Sequence, residues 1–101
     1  MPLKTAPYDS ADYLKTPEDI AFYLEAALEE NDPALLAHAL GVIARAQGMA
    51  DIAERTGRSR EQLYRTLSDR GNPQLDTLMS VLSAMGLRLS IQPVEEQPQA
   101  A

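Results

Sequence analysis

The chain reads as short amphipathic helices followed by one segment of a different period. Ile20, Tyr23, Leu24, Ala27 and Leu28 recur at the spacing of one helix face, with Glu25, Glu29 and Glu30 off that stripe. Thr16-Pro17-Glu18-Asp19 supplies the start: a capping hydroxyl, then a proline at the first helical position, then an acid three residues beyond the cap. This predicts a first helix that stops near Asn31. Asp32-Pro33 repeats the start signal. Leu35, Leu36, Ala39, Leu40, Val42, Ile43 and Ala46 then predict a mostly buried helix ending at Gln47-Gly48. A short third helix is predicted from Met49 to Arg55, broken by Thr56-Gly57. Ser59 caps a fourth, with Leu63 and Leu67 inward. Gly71 and Pro73 break the chain, and Leu75, Leu78, Met79, Val81, Leu82 and Met85 predict a fifth helix ending at Gly86.

The period then changes. Leu87-Arg88-Leu89-Ser90-Ile91-Gln92 alternates apolar and polar, which predicts a strand over 87–92. One strand cannot form a sheet alone. In an otherwise helical chain its natural partner is the same strand of a second copy across a two-fold axis, with Leu87, Leu89 and Ile91 at the seam. Residues 1–15 read as a polar arm, 16–93 as the helical domain, and 94–101 as a disordered tail. The expected architecture is all-α: five helices, plus one short C-terminal β-strand paired across a homodimer.

Composition narrows this picture. At 101 residues the chain makes one small domain, and 45% hydrophobic residues suffice for one core. Aromatics make up 5% and tryptophan is absent, so that core must be aliphatic. The lack of cysteine excludes a disulfide framework or thiolate metal site and fits a reducing cytoplasm. No stretch has the apolar run of a signal peptide or membrane span. A cytoplasmic protein with no membrane partner is expected.

Charge is informative once divided by region. Two lysines face eight acids before residue 45, giving −6; six arginines face four acids over 45–70, giving +2; the remainder carries −2. An acidic chain therefore gathers six of its nine basic residues in its middle quarter. Such a patch can meet a polyanion locally, while the rest of the chain moderates non-specific affinity.

Within that quarter, three positions are constrained together. Ala53 is small where two helices would cross. Gly57 sits where a turn needs a left-handed backbone, and Leu63 plugs the second helix into the first. The spacing is that of a helix-turn-helix, whose second helix enters the DNA major groove. Ser59, Arg60, Glu61, Gln62 and Arg65 point away from Leu63. Arginine can pair with guanine, glutamate can accept from cytosine and glutamine can pair with adenine. Arg58 and Arg70, with Ser59, Gln62 and the helix N-terminus, are placed for flanking phosphates. The spacing alone is common, and an arginine-rich helix face is usually just solvated. The serine cap, short helices, arginine cluster and downstream amphipathic helix together favour DNA.

The stretch "DIAERTGRSREQLYRTLSDRGNPQLDTLMSVLSAMGL" resembles the Cro/C1-type (Xre) helix-turn-helix family, through Ser59, Leu63, Arg65, Leu67, Gly71, Pro73, Thr77 and Leu78. With "DIAFYLEAALEENDP" ahead of it and "GLRLSIQP" after it, the chain resembles HigA-like addiction-module antidote proteins over about residues 8–94. The resemblance implies an antitoxin that binds a RelE/HigB-like ribonuclease toxin and, as a dimer on double-stranded operator DNA, represses its own operon. It implies base reading by Arg60, Glu61 and Arg65 and phosphate contacts by Ser59, Gln62, Arg70 and Asn72. Toxin contacts do not carry over. Such toxins are basic, which makes the acidic first 32 residues the reasonable surface for one.

The remaining candidates weigh less. His38, the single histidine, has no ligand partners at metal spacing and is expected as a partly buried helix residue. The acids of 18–32 have no nucleophile nearby, so they read as a solvated or partner-facing surface. Tyr8, Tyr13 and Tyr23 suit an interface, Tyr23 better the core, and Tyr64 either packs or touches the DNA backbone. No phosphate loop, catalytic triad, cofactor motif or metal set is present, so an enzyme is not expected. Two other readings stay open: a phage-type repressor without a toxin, and a protein-interaction module that uses this shape without DNA.

Overall fold

Three helices begin where a short polar side chain stands in for a missing backbone acceptor. Thr16 Oγ1 accepts from the Asp19 N–H at 3.1 Å, Asp32 Oδ1 from Ala34 at 3.0 Å, and Ser59 Oγ from Gln62 at 3.0 Å. The computed structural model describes residues 14–94. Over that range the chain forms five helices: α1 (Pro17–Glu29), α2 (Pro33–Gln47), α3 (Met49–Thr56), α4 (Arg60–Thr66) and α5 (Leu75–Ala84). The all-helical class is as predicted, and the boundaries fall close to the predicted caps and breakers. None of these helices is long and apolar enough to cross a membrane.

α2 is the central element, packing against α1, α3 and α4, while α3 also packs against α4 and α5. Ile20, Leu40, Ile43, Ile52, Leu63, Leu67 and Val81 are fully buried where these helices meet. The buried cluster is aliphatic throughout, as the composition requires, with Tyr23 packed partly against it. Leu14, from the stretch expected to be an arm, also joins the core. The rest of that arm, with Tyr8 and Tyr13, and the tail beyond residue 94 lie outside the described residues.

One glycine fixes how closely two helices approach. A Cβ on Gly41 of α2 would fall on the backbone carbonyl oxygen of Leu67, just past α4. Only a residue without a side chain lets that carbonyl sit against the helix.

Several expectations need correction. Leu28, Leu75 and Met79 are exposed, as are Ala46 and His38, although each was expected to be at least partly buried. Periodicity marks the apolar side of a helix. It does not say how wide a strip of that side its neighbours cover, and within one chain these strips are narrower than the apolar faces. The predicted strand over 87–92 is also absent among the described residues. A strand exists only through ladder hydrogen bonds to a second strand, and no other described segment offers one. Leu87 packs partly on the core, Leu89 is half exposed, and Ile91 is 96% exposed. Between this segment, α1 and α5 runs an apolar groove of about 140 Å³, lined in part by Leu24, Leu28, Leu78 and Leu82.

Candidate functional site

The α3–turn–α4 unit is built from backbone requirements that the residues meet one by one. α3 stops because Gly57 takes φ +71°, the left-handed region. Its N–H donates to the Glu54 carbonyl at 3.4 Å, and the next N–H, on Arg58, donates to the Ala53 carbonyl at 3.1 Å. This paired closure is the Schellman arrangement, which suits glycine because a side chain would be strained there. Two residues later Ser59 caps α4. Ala53 is buried and Leu63 wholly so, which anchors both helices to the core.

α4 is only seven residues long, Arg60–Thr66. It exposes Arg60, Glu61, Tyr64 and Arg65, while Gln62 is half buried. Arg70 and Asn72 are exposed on the following loop. That loop is tied to α4: the Ser68 hydroxyl donates to the Arg65 carbonyl at 3.0 Å and accepts from the Arg70 N–H at 3.3 Å. The Ser59 oxygen is used as the cap acceptor, so its O–H remains to donate outward.

The ion pairs among the described residues join Arg55 to Asp51 at 3.2 Å and Arg58 to Asp76 at 3.5 Å. Arg60, Arg65 and Arg70 have none. Three guanidinium groups thus stand on α4 and its loop in no ion pair with an acid of the described residues.

Arg58 does not belong with them. Its side chain is 19% exposed and turns inward. Nε donates to Thr77 Oγ1 at 3.1 Å, and Nη1 donates to the Thr56 carbonyl at 3.0 Å. Nη2 faces Asp76. The residue expected to clamp a phosphate instead stitches the turn to the first turn of α5. Thr77, 4% exposed, is the buried polar side chain that receives it. Sequence reading noted Thr77 only as part of a family motif. Its partner lies 19 positions away, and no local pattern joins the two. Arg55, expected at the surface, is there: besides Asp51 it reaches the Ala84 carbonyl at 3.4 Å.

The described residues form a five-helix all-α protein with a capped α3–turn–α4 unit, and comparison with known proteins narrows the class. Residues 4–93 match the family model described as "Probable addiction module antidote protein". The chain belongs to that family, whose members are the antitoxin halves of toxin–antitoxin modules, so a toxin partner is implied. Among its relatives is an uncharacterized protein of Haemophilus influenzae (strain ATCC 51907 / DSM 11121 / KW20 / Rd), 44% identical over 85 residues, which cover 84% of this chain and 88% of the relative. No solved structure matches the chain.

Proposed function

We propose that this chain is an antitoxin that binds operator DNA as a homodimer through a Cro/C1-type (Xre) helix-turn-helix. In this reading it represses its own operon and neutralises a RelE/HigB-like ribonuclease toxin. α3 is the supporting helix and α4 the recognition helix. Arg60, Glu61 and Arg65 read base edges; Ser59, Gln62, Arg70 and Asn72 hold phosphates. The observation that carries the DNA part is the exposure of Arg60 and Arg65 on α4, whose inner side is locked by Leu63, and of Arg70 on the loop after it, none of them in an ion pair among the described residues. Arg58, fully engaged with Thr56, Thr77 and Asp76, is left out of the interface.

The dimer is supported by the segment over 87–92. It alternates apolar and polar residues, leaves Leu89 and Ile91 exposed, and has no strand beside it among the described residues. Pairing it with its copy would satisfy its backbone groups and cover those side chains. In this reading two α4 helices lie about 34 Å apart, one turn of B-DNA.

The test is binding to a DNA fragment spanning the chain's own promoter. Arg60→Ala and Arg65→Ala should each lose about 1–3 kcal/mol of affinity and relax sequence preference. Unchanged affinity for both variants rejects α4 as the recognition helix.

A further inference from the structure

α1 carries a large aromatic side chain on the side opposite its packing face. Phe22, the chain's single phenylalanine, is 79% exposed, while Ile20, Leu24 and Ala27 of the same helix are buried. A single exposed apolar residue is ordinary on a protein surface, but this one is an aromatic, a residue type enriched at interfaces and among their anchoring residues. The positions three and four residues away are Glu18, Asp19, Glu25 and Ala26, all exposed, with Glu29 a further turn along. From residue 16 to 44 the chain has six acids and no lysine or arginine. Both ion pairs of the described residues lie elsewhere, at Asp51 and Asp76. Phe22 therefore stands among carboxylates that form no ion pair among the described residues. The helix beneath is held firmly, capped by Thr16, started by Pro17 and packed on α2.

We propose that Phe22 is the anchor by which this chain grips its toxin, entering an apolar socket rimmed by lysine or arginine. The proposal rests on the antitoxin reading and adds the surface that serves it. A second copy is a poor occupant, because two such faces bring four acids against four. DNA is excluded from this side by the same sign of charge. A basic protein remains. Aromatic anchors near the centre of an interface carry most of its affinity, and surrounding charges set the association rate.

The test titrates the purified full chain with the purified protein encoded by the neighbouring reading frame. Phe22→Ala should weaken that complex by about 30-fold or more, the equivalent of the roughly 2 kcal/mol threshold of an anchoring residue. It should leave the melting temperature and promoter binding unchanged, because the side chain touches neither the core nor α4. Glu18→Lys with Glu25→Lys should slow association about tenfold at low salt, with the difference shrinking as salt rises. A Phe22→Ala complex as tight as that of the parent chain overturns the proposal and leaves the antitoxin reading standing. So does a variant that turns dimers into monomers with unaltered toxin affinity, which assigns the face to self-association. A parent chain that does not bind the neighbour's product removes the antitoxin reading and this inference together.

Discussion

The Arg58–Thr77 bond separates folding from binding in a region where the sequence suggests only binding. Thr77→Val keeps the shape of a side chain that is 4% exposed but removes the oxygen that accepts from Arg58 Nε at 3.1 Å. A charged donor held 19% exposed is then left short of an acceptor, which costs about 1.5–3 kcal/mol. For a domain of this size each kcal/mol lowers the melting temperature by about 4–8 °C, so thermal unfolding followed by circular dichroism reads the change easily. Arg58→Met keeps the aliphatic stem and removes the bonds to Thr56, Thr77 and Asp76, for a loss of about the same size. Combining the two should cost less than the sum, by about 1 kcal/mol or more, because both delete one shared bond. Asp76→Asn should matter less, under about 1 kcal/mol, since that carboxylate is 73% exposed and its pair is screened. Arg58→Met, kept cold enough to stay folded, should bind promoter DNA with an unchanged salt slope. Losing one phosphate contact would instead reduce that slope by about one. A Thr77→Val protein that melts like the parent, strictly additive losses, or a reduced salt slope for Arg58→Met would each refute the structural assignment.

Two further outcomes follow from the packing and the C-terminal segment. Gly41→Ala should destabilise by about 1–3 kcal/mol in thermal unfolding, because its Cβ meets the Leu67 carbonyl rather than a flexible side-chain tip. Leu89→Glu should convert dimers to monomers in sedimentation without lowering the melting temperature of the monomer, since Leu89 is half exposed in the single chain; an unchanged dimer rejects strand pairing.

What could be read from the residues depended on how local the physics was. Caps act over three residues, so Thr16, Asp32 and Ser59 marked three helix starts. The left-handed stop at Gly57 and the plug at Leu63 are likewise properties of one turn and one face. Arg58 was misread because an arginine in a basic cluster looks the same whether it faces solvent or a buried threonine 19 residues away. Leu28, Leu75 and Met79 were misread for a related reason: a stripe says which side is apolar, not which neighbour covers it. The alternation over 87–92 is legible, but a strand needs a second strand, and the described residues have none to give. Phe22 was legible and missed. At about 100° per residue it lies roughly 200° from Ile20, on the polar side of α1.

The division of charge ties these observations together. A small protein could cancel its acids and arginines against each other, and here most are kept apart. Six acids of residues 16–44 have no cation among them, and Arg60, Arg65 and Arg70 form no ion pair among the described residues. α1 and α4 both pack on α2, so the carboxylates of α1 and the guanidinium groups of α4 sit on different elements, and no ion pair joins them. Unpaired surface charge of one sign adds self-repulsion to the folded state. Neither group is explained by stability, and each suits a partner of opposite sign. The antidote family supplies a reason for one partner, a toxin, and under the proposed function operator DNA is the other. The formal net charge of −6 sums over an acidic first part, a basic middle quarter and an acidic remainder, and so hides this division.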